Sequence, residues 1–196
     1  MTNSEKRKQQ TQTLVLAAVF TALVIVLQLL GSFIRFGMFS ISLVLLPIII
    51  GAATCGYKIG AWLGFVFGFT VLVSGDATAF LVVDYWGTIA TVLVKGTLCG
   101  LAAGLIYKAL ANRNQYLAVM AAAIICPVVN TGIFLLGCKL FFFETIKEWG
   151  AAAGFNNAAA YMFLGLAGGN FLFELLTNLI LSPAAVRILK LTKIQK

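Results

Sequence analysis

Between Thr13 and Ser182 the chain is a succession of apolar runs, each near the length that crosses a lipid bilayer, and few folds survive that constraint. A hydrocarbon core roughly 30 Å thick takes about 20 apolar residues of helix. Six stretches fit, at about 13–31, 39–55, 58–74, 88–108, 117–140 and 160–182, of which the second and third are short and glycine-rich. The runs are continuously apolar rather than alternating, which argues against a transmembrane β-barrel. Only 10% of residues are charged, against roughly 25% in a soluble domain, so a water-soluble fold is excluded. The sequence predicts an all-α integral membrane protein of six transmembrane helices.

At 196 residues there is room for one domain. The expected division is a polar tail over 1–12, a membrane domain over 13–182 and a basic tail over 183–196, the last able to continue as a short amphipathic segment along the inner surface. Lys6, Arg7 and Lys8 precede a run without a convincing cleavage site, which reads as a retained first helix rather than a signal peptide.

The net charge of +8 is explained by its placement. Lys6, Arg7, Lys8, Lys58, Lys108, Arg113, Arg187, Lys190, Lys193 and Lys196 all fall on one side of the six spans. The other side has Arg35, Lys139 and Lys147 among Asp76, Asp84, Glu144 and Glu148. By the positive-inside rule both termini are cytoplasmic, in a multi-pass cell-membrane protein, and the basicity implies no nucleic-acid partner.

Catalytic and metal chemistry have little to work with. The chain has no histidine, which removes Ser-His and Cys-His pairs and His-ligated metals. Cys55, Cys99, Cys126 and Cys138 lack C-x-x-C spacing and read as small buried hydrophobes. There is no G-x-x-x-x-G-K-[ST] phosphate loop. No catalytic residue, metal or cofactor is expected, and an intramembrane enzyme is the weakest of the competing readings.

The connections on the outer side, 32–38, 75–87 and 141–159, are long, whereas those on the inner side are short. Chain length on one face suits loops that fold over a site. Those loops carry many aromatics, Phe39, Tyr85 and Trp86 among them, which suit either an interfacial belt or the lining of a pocket for a flat ring. Glycine recurs every four residues at Gly56, Gly60, Gly64 and Gly68, and again at Gly96, Gly100 and Gly104. Such rows let helix backbones approach closely and speak for packing rather than chemistry. Pro47 and Pro127 interrupt the second and fifth spans.

Function must therefore be sought in the few polar residues inside the apolar runs, because such groups are costly in lipid. At about 1.5 Å per residue, Lys95 lies roughly 10 Å below the outer boundary, and Asn130 and Asn170 roughly 15 Å below it. Glu174 is one turn deeper than Asn170 on the same face, with Asn178 a turn beyond. Three helices thus direct donors and acceptors into the outer half of the bundle. Two arrangements are compatible with this: a cavity open to the outside, or a Lys95–Glu174 ion pair with the amides bridging helices.

With those residues in place, the whole chain resembles the substrate-binding S component of energy-coupling factor (ECF) vitamin transporters. The local marks are LAAVFTAL, whose Ala18 and Ala22 match the A-x-x-x-A pair of the first helix with Ala17 beside it, and FSISLVLLPIIIGA (39–52) followed by GYKIGAWLGFVFG (56–68). The resemblance implies that Ala18 and Ala22 dock a transmembrane coupling subunit, which acts with two ATPases. It also implies a ligand near the outer face among helices four to six, where Lys95, Asn130, Asn170 and Glu174 fall. With Phe39, Tyr85 and Trp86 these are the candidate substrate-binding residues. The implied function is capture of a water-soluble vitamin for ATP-driven uptake by the partner module. Ligand identity does not follow from the resemblance; one buried Lys with amides suits an anionic or amide-rich vitamin, with riboflavin and pantothenate foremost. The competing reading is a stand-alone small-solute carrier or channel.

Overall fold

The structure, a computed structural model, describes residues 3–33, 35–36, 39–40 and 43–194, without the side chains of 35–36, 39–40 and 191–194. Helices dominate: α1 (Asn3–Ser32), α2 (Leu45–Cys55), α3 (Tyr57–Val73), α4 (Thr78–Leu81), α5 (Tyr85–Leu110), α6 (Gln115–Phe141), α7 (Phe143–Ala152), α8 (Ala158–Ala160) and α9 (Gly169–Ile194). A π-helical stretch, Tyr161–Gly168, joins α8 to α9. Among the described residues, α1, α5, α6 and the continuous stretch Ala158–Lys190 are long and apolar enough to cross a membrane; α2 and α3 are apolar but shorter.

The expected span 39–55 is the clearest departure. Its first part is not helical: Arg35–Phe36 (β1) and Phe39–Ser40 (β2) pair antiparallel, with Phe36 opposite Phe39. Phe and Ile favour strands, and the serines at 40 and 42 weaken any helix there. The helix begins only at Leu45 and runs for 11 residues, or about 16 Å. Gly56, with φ 98, makes the sharp link from α2 into α3. That left-handed backbone is open to glycine at little cost.

Both ends of the chain are more helical than their polarity suggests. α1 already starts at Asn3, so residues 3–12 form its exposed first turns. At the other end α9 runs through Pro183, and Ala185, Val186 and Leu189 are buried in the main core. A proline inside a helix displaces the carbonyl four residues back, here that of Leu179. Ser182 Oγ donates to this oxygen at 2.8 Å, so the helix passes the proline with that carbonyl satisfied.

The two glycine rows meet each other. α3 and α5 run antiparallel in close contact: a Cβ on Gly60 would strike the carbonyl of Gly100, one on Gly64 that of Gly96, and one on Gly68 that of Val92. α6 packs along the other side of α5, and α9 along α6. Side-chain caps start α5 and α6: Asp84 Oδ1 accepts from Gly87 N at 2.9 Å, and Asn114 Oδ1 from Tyr116 N at 2.9 Å. These contacts fix which faces of α5, α6 and α9 turn inward.

Candidate functional site

One end of the bundle encloses a cavity of about 80 Å³, and its lining follows helical spacing. α5 supplies Thr88, Thr91, Val92 and Lys95, at i, i+3, i+4 and i+7 on a single stripe. α6 supplies Asn130 and Phe134, and α9 supplies Asn170 and Glu174, each pair one turn apart. Phe67 and Val71 come from α3, and Gln28 from the last turns of α1. The connection between α3 and α5 adds Asp76 and Phe80.

Lys95, Asn130, Asn170 and Glu174, singled out in the sequence by depth, are thus brought together. Asn170 Nδ2 donates to Glu174 Oε1 at 3.1 Å. The second carboxylate oxygen of Glu174 is buried without a hydrogen-bond partner, as are Asn130 Oδ1, Thr91 Oγ1 and Gln28 Oε1. Four acceptor-capable oxygens therefore surround the cavity unsatisfied, and a buried unpaired polar group costs about 1–3 kcal/mol. The direct Lys95–Glu174 ion pair does not form: both line the cavity, but Lys95 makes no ion pair among the described residues. Its ammonium instead lies 5.4 Å from the centre of the Phe134 ring and 5.7 Å from that of Phe67. At such distances the ring faces attract a cation.

Aromatic side chains close the cavity toward the loops. Phe80 of α4 is 6% exposed and meets Phe142, Trp149 and Phe134 edge-on, with ring centres 5.1, 5.5 and 5.6 Å away. Tyr85 and Trp86 do not join the lining. They stand at the very start of α5, less than one turn before Thr88, 57% and 76% exposed, and contact each other edge-on at 5.3 Å. Their exposure fits the interfacial reading of the outer aromatics. Phe39 lies in β2, and its side chain is outside the described residues.

The sequence reading missed Gln28, Asp76, Thr88, Thr91 and Phe67. Gln28 carried the same signal as Asn130, a lone amide in an apolar run; it is 2% exposed, and its Nε2 donates to Asp76 Oδ2 at 2.7 Å. Thr88 and Thr91 were legible only through their spacing from Lys95. The π-helical stretch ahead of Asn170 had no clear sequence mark beyond Gly165, Gly168 and Gly169. Such turns are rare and concentrate at functional sites.

The remaining expectations fall outside the cavity. Ala18 and Ala22 are exposed on the outer face of α1, while Ala17 is buried. None of the four cysteines is in a disulfide among the described residues, and Cys99, Cys126 and Cys138 are buried. Asn178 is buried below Glu174 and does not reach the lining.

A bundle of apolar helices with an enclosed polar pocket near one end defines a membrane protein built to hold a small solute. The sequence profile of the ECF transporter substrate-specific component matches residues 12–186, and the chain belongs to that family. It is 28% identical to the pantothenic acid transporter PanT of Lactococcus lactis subsp. cremoris, over 92% of this chain and 94% of that protein. The solved structure of ThiT from Listeria monocytogenes has the same fold, with a TM-score of 0.68 at 20% identity, covering 94% of this chain and 98% of that one. The protein is accordingly a multi-pass membrane protein of vitamin uptake and a transporter component.

Proposed function

We propose that the protein captures pantothenate from outside the cell and delivers it to an ECF module. In this reading the six apolar segments of the sequence cross the membrane, α2 covering only part of its crossing, and both termini are cytoplasmic. A transmembrane coupling subunit docks on the exposed Ala18–Ala22 face, and two ATPases drive release. The carrying observation is the chemistry of the pocket: one lysine that makes no direct ion pair among the described residues lines the same cavity as buried oxygens without hydrogen-bond partners. Pantothenate presents the complement, a carboxylate for Lys95 and two hydroxyls and an amide N–H for the acceptors. The similarity to a pantothenic acid transporter supports the same ligand. A pocket for a whole vitamin spans roughly 300 Å³ or more, so binding has to move the Phe80 lid and its ring neighbours outward.

Titration of the purified protein with pantothenate, riboflavin and thiamine tests this. Pantothenate alone is expected to bind tightly; tight riboflavin binding without pantothenate binding would reject the assignment. Reconstitution separates capture from autonomous transport: liposomes with this chain alone should not accumulate ligand, whereas addition of the coupling subunit, ATPases and ATP should restore uptake. Uptake by the chain alone would instead make it a self-sufficient carrier.

A further inference from the structure

A second, larger recess lies on the perimeter of the bundle, between the end of α6, α7 and the start of the π-helical stretch, with a volume of about 940 Å³. Its lining is mostly apolar, Gly132, Leu136, Met162 and Phe163 among it, and its polar members are Lys139, Lys147, Asn156 and Asn157. Leu136 and Phe163 are 54% and 61% exposed, so the recess opens sideways, toward lipid, rather than into the bundle.

The placement of the two cations is unexpected. The side of the protein that carries Lys139 and Lys147 has one other basic residue, Arg35, because the charge bias concentrates lysine and arginine at the opposite side. Two of those three cations line one groove. Lys139 makes no ion pair among the described residues. Lys147 Nζ is 2.8 Å from Glu144 Oε1, but the Glu144 side chain is 81% exposed. Such a surface pair is weak and gives way readily to a stronger anion.

We infer that this groove holds an anionic phospholipid, with its phosphate at Lys139 and Lys147 and an acyl chain along Gly132, Leu136 and Phe163. An apolar trough that opens to hydrocarbon and ends in paired ammonium groups at the membrane boundary matches both parts of such a lipid, and a water-soluble anion would leave the trough unfilled. The leaflet follows from the orientation proposed above; the binding itself does not depend on it, nor on which vitamin the buried pocket takes.

The test uses purified full-length protein in detergent, titrated with phosphatidylglycerol, phosphatidylcholine of the same chain length, or free glycerol phosphate, with bound lipid counted by native mass spectrometry. The wild type should prefer phosphatidylglycerol. Removing the charges in Lys139→Gln/Lys147→Gln should lower that affinity roughly fivefold per lysine and abolish the preference. A Cβ on Gly132 meets nothing within 4 Å, so Gly132→Phe should fill the trough without disturbing the fold and weaken binding of both lipids. Vitamin titration on the same samples should be unchanged, which separates this inference from the ligand assignment. Equal binding of the two lipids by the wild type, an undiminished preference in the double variant, or glycerol phosphate binding as well as the lipid would each overturn it.

Discussion

Lys95 decides more about the pocket than any other side chain, because its ammonium lies over two ring faces and makes no direct ion pair among the described residues. If it bonds the ligand carboxylate, Lys95→Ala should cost about 1.5–3 kcal/mol of binding, the range for a hydrogen bond to a charged group, or roughly ten- to over a hundredfold in affinity. Because Lys95 and Glu174 do not pair directly, the double variant with Glu174→Gln should recover little thermal stability over the single ones. A large recovery would restore the ion-pair reading, and unchanged affinity in a stable Lys95→Ala protein would remove Lys95 from the site. Lys95, Asn130, Asn170 and Glu174 could be singled out as candidates because polarity in an apolar run is conspicuous, and the structure puts all four in one cavity lining. Phe67 and Phe134 were not legible as cation-holding residues, because an aromatic in a span looks the same whether it meets lipid or an ammonium group.

Among the elements, α1 has a division of labour written on its faces. Val24 and Gln28 turn inward, while Ala18 and Ala22 leave a shallow strip among exposed Leu14, Val15, Val19 and Val26. Replacing both alanines by phenylalanine should close that strip to another helix. Uptake by the assembled transporter and co-purification with the coupling subunit should be lost, with pantothenate binding in detergent nearly unchanged; surviving uptake would show that docking lies elsewhere. Long elements were legible from hydropathy. The shortened α2 was not, because the apolar residues of a strand pair and those of a helix give the same average hydropathy. A short continuation past Pro183 was legible, but its burial in the main core and the bond from the Ser182 hydroxyl to the Leu179 carbonyl were not.

At the scale of the whole molecule, charge placement predicts which ends face the cytoplasm. Single cysteines introduced near 76–84 and 144–157 should react with an impermeant reagent added from outside, and those at 109–115 only after the inner face is opened. The reverse pattern would invert the bundle and with it the side from which ligand arrives. The glycine rows were legible as packing, although the sequence did not say that they face each other. Their pairing has a mechanical consequence. Where two backbones touch with hardly a side chain between them, close packing holds the helices at one short separation, so α3 and α5 are expected to move as one unit. Phe67, Val71, Thr88, Thr91 and Lys95 all stand on that unit. With those residues as the fixed jaw, any widening for a guest is predicted to come from Phe80 and from the π-turned approach to Asn170.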